Sequence, residues 1–119
     1  MTTLTTAVTA GESGPVLVLS GEADITTTAE LSQLLTAHLA EGTTDLTIDI
    51  SGLRFADSAA IHTLLRAART LNDRGGTLTL LHPQQAVAKV LTILGVDQLI
   101  TLRDMPHAQP SPGSASGPS

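Results

Sequence analysis

The feature that most constrains the fold is a pair of alternating segments separated by a helical one. Residues 46–51 and 77–81 alternate apolar and polar side chains, which is typical of strands with one buried face. A helix is expected to start near Ser58 between them. Its apolar stripe is Ile61, Leu64, Leu65, Ala68 and Leu71. Strands separated by a helix pair in parallel through a crossover, so this segment predicts a βαβ unit.

Similar segments precede this unit. Residues 4–9 and 16–20 are predicted to form a hairpin around the turn residues of 11–15. A first helix is expected to begin at a capping box over residues 27–30 and to end at Gly42. The residues at helical spacing in it are Leu31, Leu34, Leu35, His38 and Leu39.

A third helix and a last strand complete the pattern. Pro83 suits the first turn of that helix, Gly95 suits its C-cap, and residues 99–102 form a short strand. The side expected to face inward is Ala86, Val87, Val90, Leu91 and Leu94. Crossovers are almost always right-handed, and clean alternation indicates a sheet that is covered on one face. The expected fold is α/β, in the order ββαβαβαβ: an open mixed five-stranded sheet in sequential order, with strand 1 antiparallel and the helices mainly on one face.

The chain is long enough for one domain. It has 119 residues, of which 41% are hydrophobic. Residues 3–104 are expected to form the domain, and residues 105–119, rich in Pro, Ser and Gly, a disordered tail. The net charge is −5, the basic residues are scattered, and Phe55 is the only aromatic residue. These properties disfavour direct nucleic-acid binding, which needs basic surfaces or aromatic stacking.

Several site classes are disfavoured by residues that the sequence lacks. It has no cysteine, so disulfides and zinc–thiolate sites are excluded.

The sequence shows no secretory signal pattern and no apolar run of the ~20 residues that a membrane helix needs. We therefore expect a cytoplasmic location without membrane insertion.

Acidic side chains and a serine are predicted to meet at one edge of the sheet. The carboxyl ends of parallel strands share one rim, which is the usual functional side of such sheets. The loop of residues 52–58 is expected beside the loop after strand 2, so Glu22 and Asp24 come near Asp57 and Ser58. Ser58 or Asp57 would be the N-cap of the second helix. A helix N-terminus would also accommodate a phosphate on the serine.

Taken together, four segments resemble the STAS domain, specifically that of the small anti-sigma factor antagonists. The resemblance covers about residues 8–103. The matching segments are Ser20–Asp24, which resembles the family's T/S-G-E-L-D, and then Ile48–Ser58, Gly75–Leu80 and Leu94–Asp97. In that family, the serine directly after the motif aspartate is phosphorylated by a partner anti-sigma factor, a GHKL-type serine kinase. That serine is Ser58 here.

The resemblance implies a partner-switching cycle. The unphosphorylated antagonist binds the kinase and releases the sigma factor, phosphorylation breaks the complex, and a phosphatase restores it. No cofactor or metal is implied. The residues assigned to partner binding are Glu22, Asp24, Asp57, Ser58, Ala59, Ala60, Ile61 and His62. Alternatives stay open, because Ile61 also fits the core, and Glu22 and Asp24 also fit a solvated acidic turn.

The chain departs from the family at three points. The family's Asp-Ser-Ser/Thr-Gly is Asp57-Ser58-Ala59-Ala60 here, so Ser58 is the only hydroxyl in the motif and Ala60 replaces a glycine. His62 occupies a position that is often small in the family. After the last strand we expect the Pro/Ser-rich tail in place of the family's usual C-terminal helix.

Two other binding functions remain open. One is a STAS accessory subunit of a membrane transporter, such as a phospholipid-type ABC system. The other is a STAS binding module that is never phosphorylated. An enzyme is not expected, because Ser58 lacks a glycine elbow and the histidines are dispersed.

If Ser58 is the cap, Ser58→Ala should lower the free energy of unfolding by at most ~1–2 kcal/mol.

Overall fold

The computed structural model describes residues 4–11 and 14–105. All but the first residue of the predicted tail lies outside the described residues. The strands are β1 (Leu4–Gly11), β2 (Gly14–Ala23), β3 (Asp45–Ala56), β4 (Thr77–Leu81) and β5 (Ile100–Arg103). The helices are α1 (Thr28–Ala40), α2 (Ser58–Asp73) and α3 (Gln85–Ile93), followed by a short 3₁₀ turn, Val96–Gln98.

The strand order confirms the predicted topology. The sheet runs β1-β2-β3-β4-β5, with β1 antiparallel to β2 and the other neighbours parallel. With right-handed crossovers, a sequential order places α1, α2 and α3 on the same face. None of the helices in the described ranges is long and apolar enough to cross a bilayer.

The core lies between the sheet and this helical layer. Leu17 of β2, Ile48 of β3 and Leu80 of β4 are opposite one another in register and fully buried. Alternate side chains of the sheet, such as Thr47 and Thr79, lie on the face without helices and are half-buried. The period-2 pattern therefore follows from a sheet covered on one side.

The prediction of a loop over residues 52–58 is wrong for most of that segment, because β3 continues to Ala56. It stays paired with β2, where Ser20 is opposite Gly52 and Ala23 is opposite Ala56. Two register shifts accommodate extra residues in β3 and break its apolar–polar alternation. β2 likewise extends to Ala23, so the predicted acidic loop after it begins inside the strand.

Helix α1 does not begin with the predicted capping box. Thr27 is its N-cap residue, but its backbone is in the helical region and its side chain makes no cap hydrogen bond. The Thr27 hydroxyl instead accepts the Asp24 N–H at 2.9 Å. The predicted stripe is otherwise confirmed, with Leu31 and Leu35 buried.

Helix α3 begins later than predicted. Gln84 is the N-cap, so the buried Pro83 precedes the helix instead of lying in its first turn. The buried side of the helix therefore differs from the predicted one. Its buried side chains are Val87, Ala88 and Leu91. Ala86 and Leu94 are exposed, contrary to the prediction. Gly95 follows the C-cap Leu94 and has a φ of 65°, a left-handed conformation that favours glycine.

Candidate functional site

The candidate site lies where β2 and β3 end side by side. Ala23 is opposite Ala56, and the Asp57 N–H donates to the Ala23 carbonyl at 3.0 Å. The backbone of Asp57 is extended, and helix α2 begins at the next residue. The strand pairing therefore determines where this helix starts.

Asp57 joins the start of α2 to the turn after β2. Its Oδ1 accepts the Ala60 N–H at 3.0 Å, which is an N-cap bond. Its Oδ2 accepts the Ile25 N–H at 3.1 Å. One carboxylate thus satisfies a free donor of the helix and fixes the neighbouring turn. Of the two predicted cap residues, Asp57 is the one that caps.

Ser58 is the first residue of α2, and its side chain is exposed. Because Asp57 caps the helix, the Ser58 hydroxyl is not needed for that role. Within residues 4–11 and 14–105, no hydrogen bond of this hydroxyl is observed. The serine is therefore accessible at a helix N-terminus, where backbone N–H groups favour negative charge.

The turn between β2 and α1 is ordered by Asp24. Its Oδ1 accepts the Thr26 N–H at 2.9 Å and the Thr26 hydroxyl at 2.6 Å. Its carbonyl accepts the Thr28 hydroxyl at 2.7 Å. Asp24 therefore shapes this turn, which is bound to Asp57 through Ile25.

Glu22 is paired with a cation. Arg54 Nε donates to Glu22 Oε2 at 3.0 Å, and Arg54 Nη2 contacts the same oxygen. The pair spans the neighbouring ends of β2 and β3. The predicted acidic surface is therefore partly neutralised at Glu22.

Two exposed apolar side chains beside this site are absent from the predicted set. Ile25 is 75% exposed and Phe55 is 47% exposed. Phe55 is opposite Glu22 in register, two residues before Asp57, and the Ile25 backbone is bonded to Asp57. The available signal was that Phe55 is the only aromatic residue in the chain.

The remaining predicted residues lie along the first two turns of α2. Ala59 is half-buried and His62 is exposed, so both can be reached from outside. Ala60 and Ile61 are buried in the core. For Ile61, this matches the core alternative derived from its place in the apolar stripe.

The histidines are on separate elements. His38 is in α1, His62 is in α2, and His82 follows β4. His82 Nδ1 lies 3.4 Å from Asp104 Oδ2, and both side chains are substantially exposed. His107 lies outside the described residues. In the part of the chain that the structure describes, no three His, Asp or Glu side chains are grouped to hold a metal ion.

We expect Asp57→Ala to destabilise the fold more than Ser58→Ala. The first change removes both the cap and the bond to the Ile25 N–H, at a cost of ~1–2 kcal/mol. The second removes an exposed hydroxyl and should change the unfolding free energy by no more than ~0.5 kcal/mol. Urea unfolding of both variants measures the difference. Equal losses would contradict the assignment of the cap to Asp57.

Comparison with known proteins places the chain in a family. A family model described as "Mlab, STAS domain" matches residues 6–103. An anti-sigma-B factor antagonist of Staphylococcus aureus is 23% identical over 86 residues, which cover 72% of this chain and 80% of that protein.

Solved structures show the same fold. The crystal structure of an anti-sigma factor antagonist from Mycobacterium paratuberculosis has a TM-score of 0.77 and 25% identity, over 86% of each chain. The Bacillus cell fate determinant SpoIIAA in its phosphorylated form has a TM-score of 0.61 and 21% identity, over 86% of this chain and 90% of that one. The family match spans nearly all of the described sheet and helices, and the chain belongs to the STAS domain family.

Proposed function

We propose that this chain is an anti-sigma factor antagonist that is switched off by phosphorylation of Ser58. In its unphosphorylated form it would bind an anti-sigma factor, a GHKL-type serine kinase, and so release a sigma factor in the cytoplasm. A phosphatase would restore the binding form. The proposal is supported by the antagonists among its relatives and structural neighbours. One of these neighbours, SpoIIAA, has a phosphorylated form.

The observation that carries the proposal is the division of roles between Asp57 and Ser58. Asp57 makes the cap bond to Ala60 and the bond to Ile25. Ser58 is exposed at the next position. A protein kinase needs a hydroxyl that it can reach, on a backbone held in place. The single hydroxyl of the Asp57–Ala60 motif meets both needs.

Phosphorylation would change the surface without refolding the domain. A phosphoserine adds about −1.5 to −2 charges. The N-terminus of α2 favours this charge within the fold. The same charge would lie beside Asp57, on a chain with a net charge of −5. The complex would therefore be lost through repulsion and loss of fit at the partner surface.

The direct contacts in this proposal are exposed and half-buried residues around the serine. Asp24, Asp57 and Glu22 would contribute polar contacts, the last together with its Arg54 partner. His62 and Ala59 would extend the surface along α2. The side chains of Ala60 and Ile61 are buried, so they would support this surface by packing.

Phe55→Ala is expected to weaken binding to the kinase at least about tenfold, which corresponds to about 1.4 kcal/mol. Exposed aromatic residues at the centre of an interface often dominate its binding energy. Because Phe55 is 47% exposed, its truncation should lower the unfolding free energy by only ~1 kcal/mol. Isothermal titration calorimetry with the purified kinase measures the effect. Ile93→Ala is the matched control, since Ile93 is 71% exposed on α3.

The proposed function is tested by affinity capture from lysate of the native host. The baits are the wild type, Ser58→Ala and Ser58→Asp, and the captured proteins are identified by mass spectrometry. The proposal predicts a GHKL-type kinase with the wild type and Ser58→Ala, and its loss with Ser58→Asp. A transporter ATPase captured equally by all three baits would instead identify a transporter subunit. A kinase captured equally by all three would identify a binding module without a phosphorylation switch.

A further inference from the structure

The two edges of the sheet differ in how they are protected. Strand β5 is a short edge of four residues that ends at Arg103 and is followed by Asp104. Strand β1 is the opposite edge and has eight residues, Leu4–Gly11, without charge or proline. Proteins commonly protect edge strands by shortness, charge or proline. By these criteria β5 is protected and β1 is not.

The exposed side chains of β1 are also small or apolar. Residues 5–9 are exposed, and Val8 is 55% exposed although it is opposite the buried Leu17 on the helical side of the sheet. The helical layer therefore leaves β1 largely uncovered. Among the described strands, β1 has a hydrogen-bonded neighbour on one side only, which is β2.

The sequence of β1 is compatible with antiparallel pairing to itself. With Ala7 opposite Ala7 of a second copy, Thr5 would be opposite Thr9 and Thr6 would be opposite Val8. Thr5, Ala7 and Thr9 share the helix-free face, since they are opposite outward residues of β2, and Thr6 and Val8 share the other face. Each residue would thus meet one on the same face. Thr–Thr is a favourable cross-strand pair, and no like charges would be opposed.

We propose that β1 is a dimerisation edge, at which a second copy of this chain pairs antiparallel around Ala7 and extends the sheet to ten strands. The interface is isologous, as in most homodimers. It consists mainly of one strand pair, so its area is below the ~1,000 Å² of a stable interface and the dimer is weak. Pairing at this edge leaves the exposed start of α2 free. The inference therefore does not depend on the proposed function.

Sedimentation equilibrium of the full chain from about 5 to about 500 µM tests this inference, because a weak dimer forms mainly at the higher concentrations. The expected mass rises from 12.2 kDa toward twice that value. Ala7→Lys would oppose two charges and raise the dissociation constant at least about tenfold. Thr79→Lys, on the helix-free face of β4, is the control and should dimerise like the wild type.

Opposite charges introduced at residue 7 test the register of the proposed strand pair. Ala7→Glu alone should be monomeric, while an equal mixture of Ala7→Glu and Ala7→Lys should form a heterodimer. Circular dichroism and urea unfolding confirm that each variant is folded. A wild type that stays monomeric at the highest concentration would overturn the inference. So would a dimer that survives Ala7→Lys, one that is lost in Thr79→Lys, or a charged mixture that fails to associate.

Discussion

Ser58→Asp is expected to weaken the complex with the anti-sigma kinase about 100-fold, which corresponds to about 2.7 kcal/mol. The added carboxylate lies at an exposed position beside Asp57, on the surface proposed to contact the partner. The domain should remain folded, because negative charge is favourable in the first turn of a helix. Titration calorimetry with the purified kinase gives the affinity, and urea unfolding gives the stability.

Two variants separate the local effect from the added charge. Gln33→Glu adds the same charge on an exposed position of α1 and should bind like the wild type. Ser58→Ala removes the hydroxyl without adding charge and should also bind like the wild type. Equal binding by Ser58→Asp and Gln33→Glu would show that Ser58 does not control the complex. An unfolded Ser58→Asp would contradict the view that the helix N-terminus tolerates negative charge.

Gly76→Ala is expected to have the largest effect on stability, a loss of at least ~4 kcal/mol or failure to fold. A β-carbon at this position would lie 1.6 Å from the Thr44 carbonyl oxygen and 2.5 Å from its carbon. These are backbone atoms immediately before β3, and the Thr77 N–H is bonded to the same oxygen. Relieving the clash would separate the starts of β3 and β4.

Gly75→Ala is the matched control for this prediction. Gly75 has a φ of 80°, but within the described residues no heavy atom beyond Gly75 and its two chain neighbours lies within 4 Å of the position of its β-carbon. The substitution therefore introduces backbone strain alone, worth ~1 kcal/mol. Urea unfolding of the two variants should show a much larger loss for Gly76→Ala. A comparable loss in both would contradict the close approach of Gly76 to Thr44.

The fold could be predicted where the chain follows simple periods. Residues 77–80 alternate polar and apolar side chains, and β4 has the predicted bounds, 77–81. The prediction ends β3 too early, because two register shifts place Leu53 and Ala56 in the core at a spacing of three. A period-2 pattern cannot reveal such a strand. The prediction starts α3 too early, because proline at residue 83 suits both the first turn of a helix and the residues before that turn.

At the candidate site, the sequence indicates which positions are involved but not which role each residue has. Asp57 and Ser58 both have the chemistry of a cap, and only the geometry shows that Asp57 makes the bond to Ala60. The pairing of Glu22 with Arg54 depends on the strand register, which joins residues distant in sequence. The exposure of Phe55 is likewise a property of the folded chain, since an aromatic residue in a strand ordinarily predicts burial.

Partner switching requires that Ser58 accepts a phosphate and that this phosphate ends partner binding. The most direct measurement is incubation of the purified chain with the captured kinase and ATP, followed by mass-spectrometric mapping of the phosphate and a binding assay of the product. We expect one phosphate on Ser58, none on Ser58→Ala, and loss of kinase binding by the phosphorylated chain. A phosphate at another residue, no phosphate, or undiminished binding of the phosphorylated chain would contradict it.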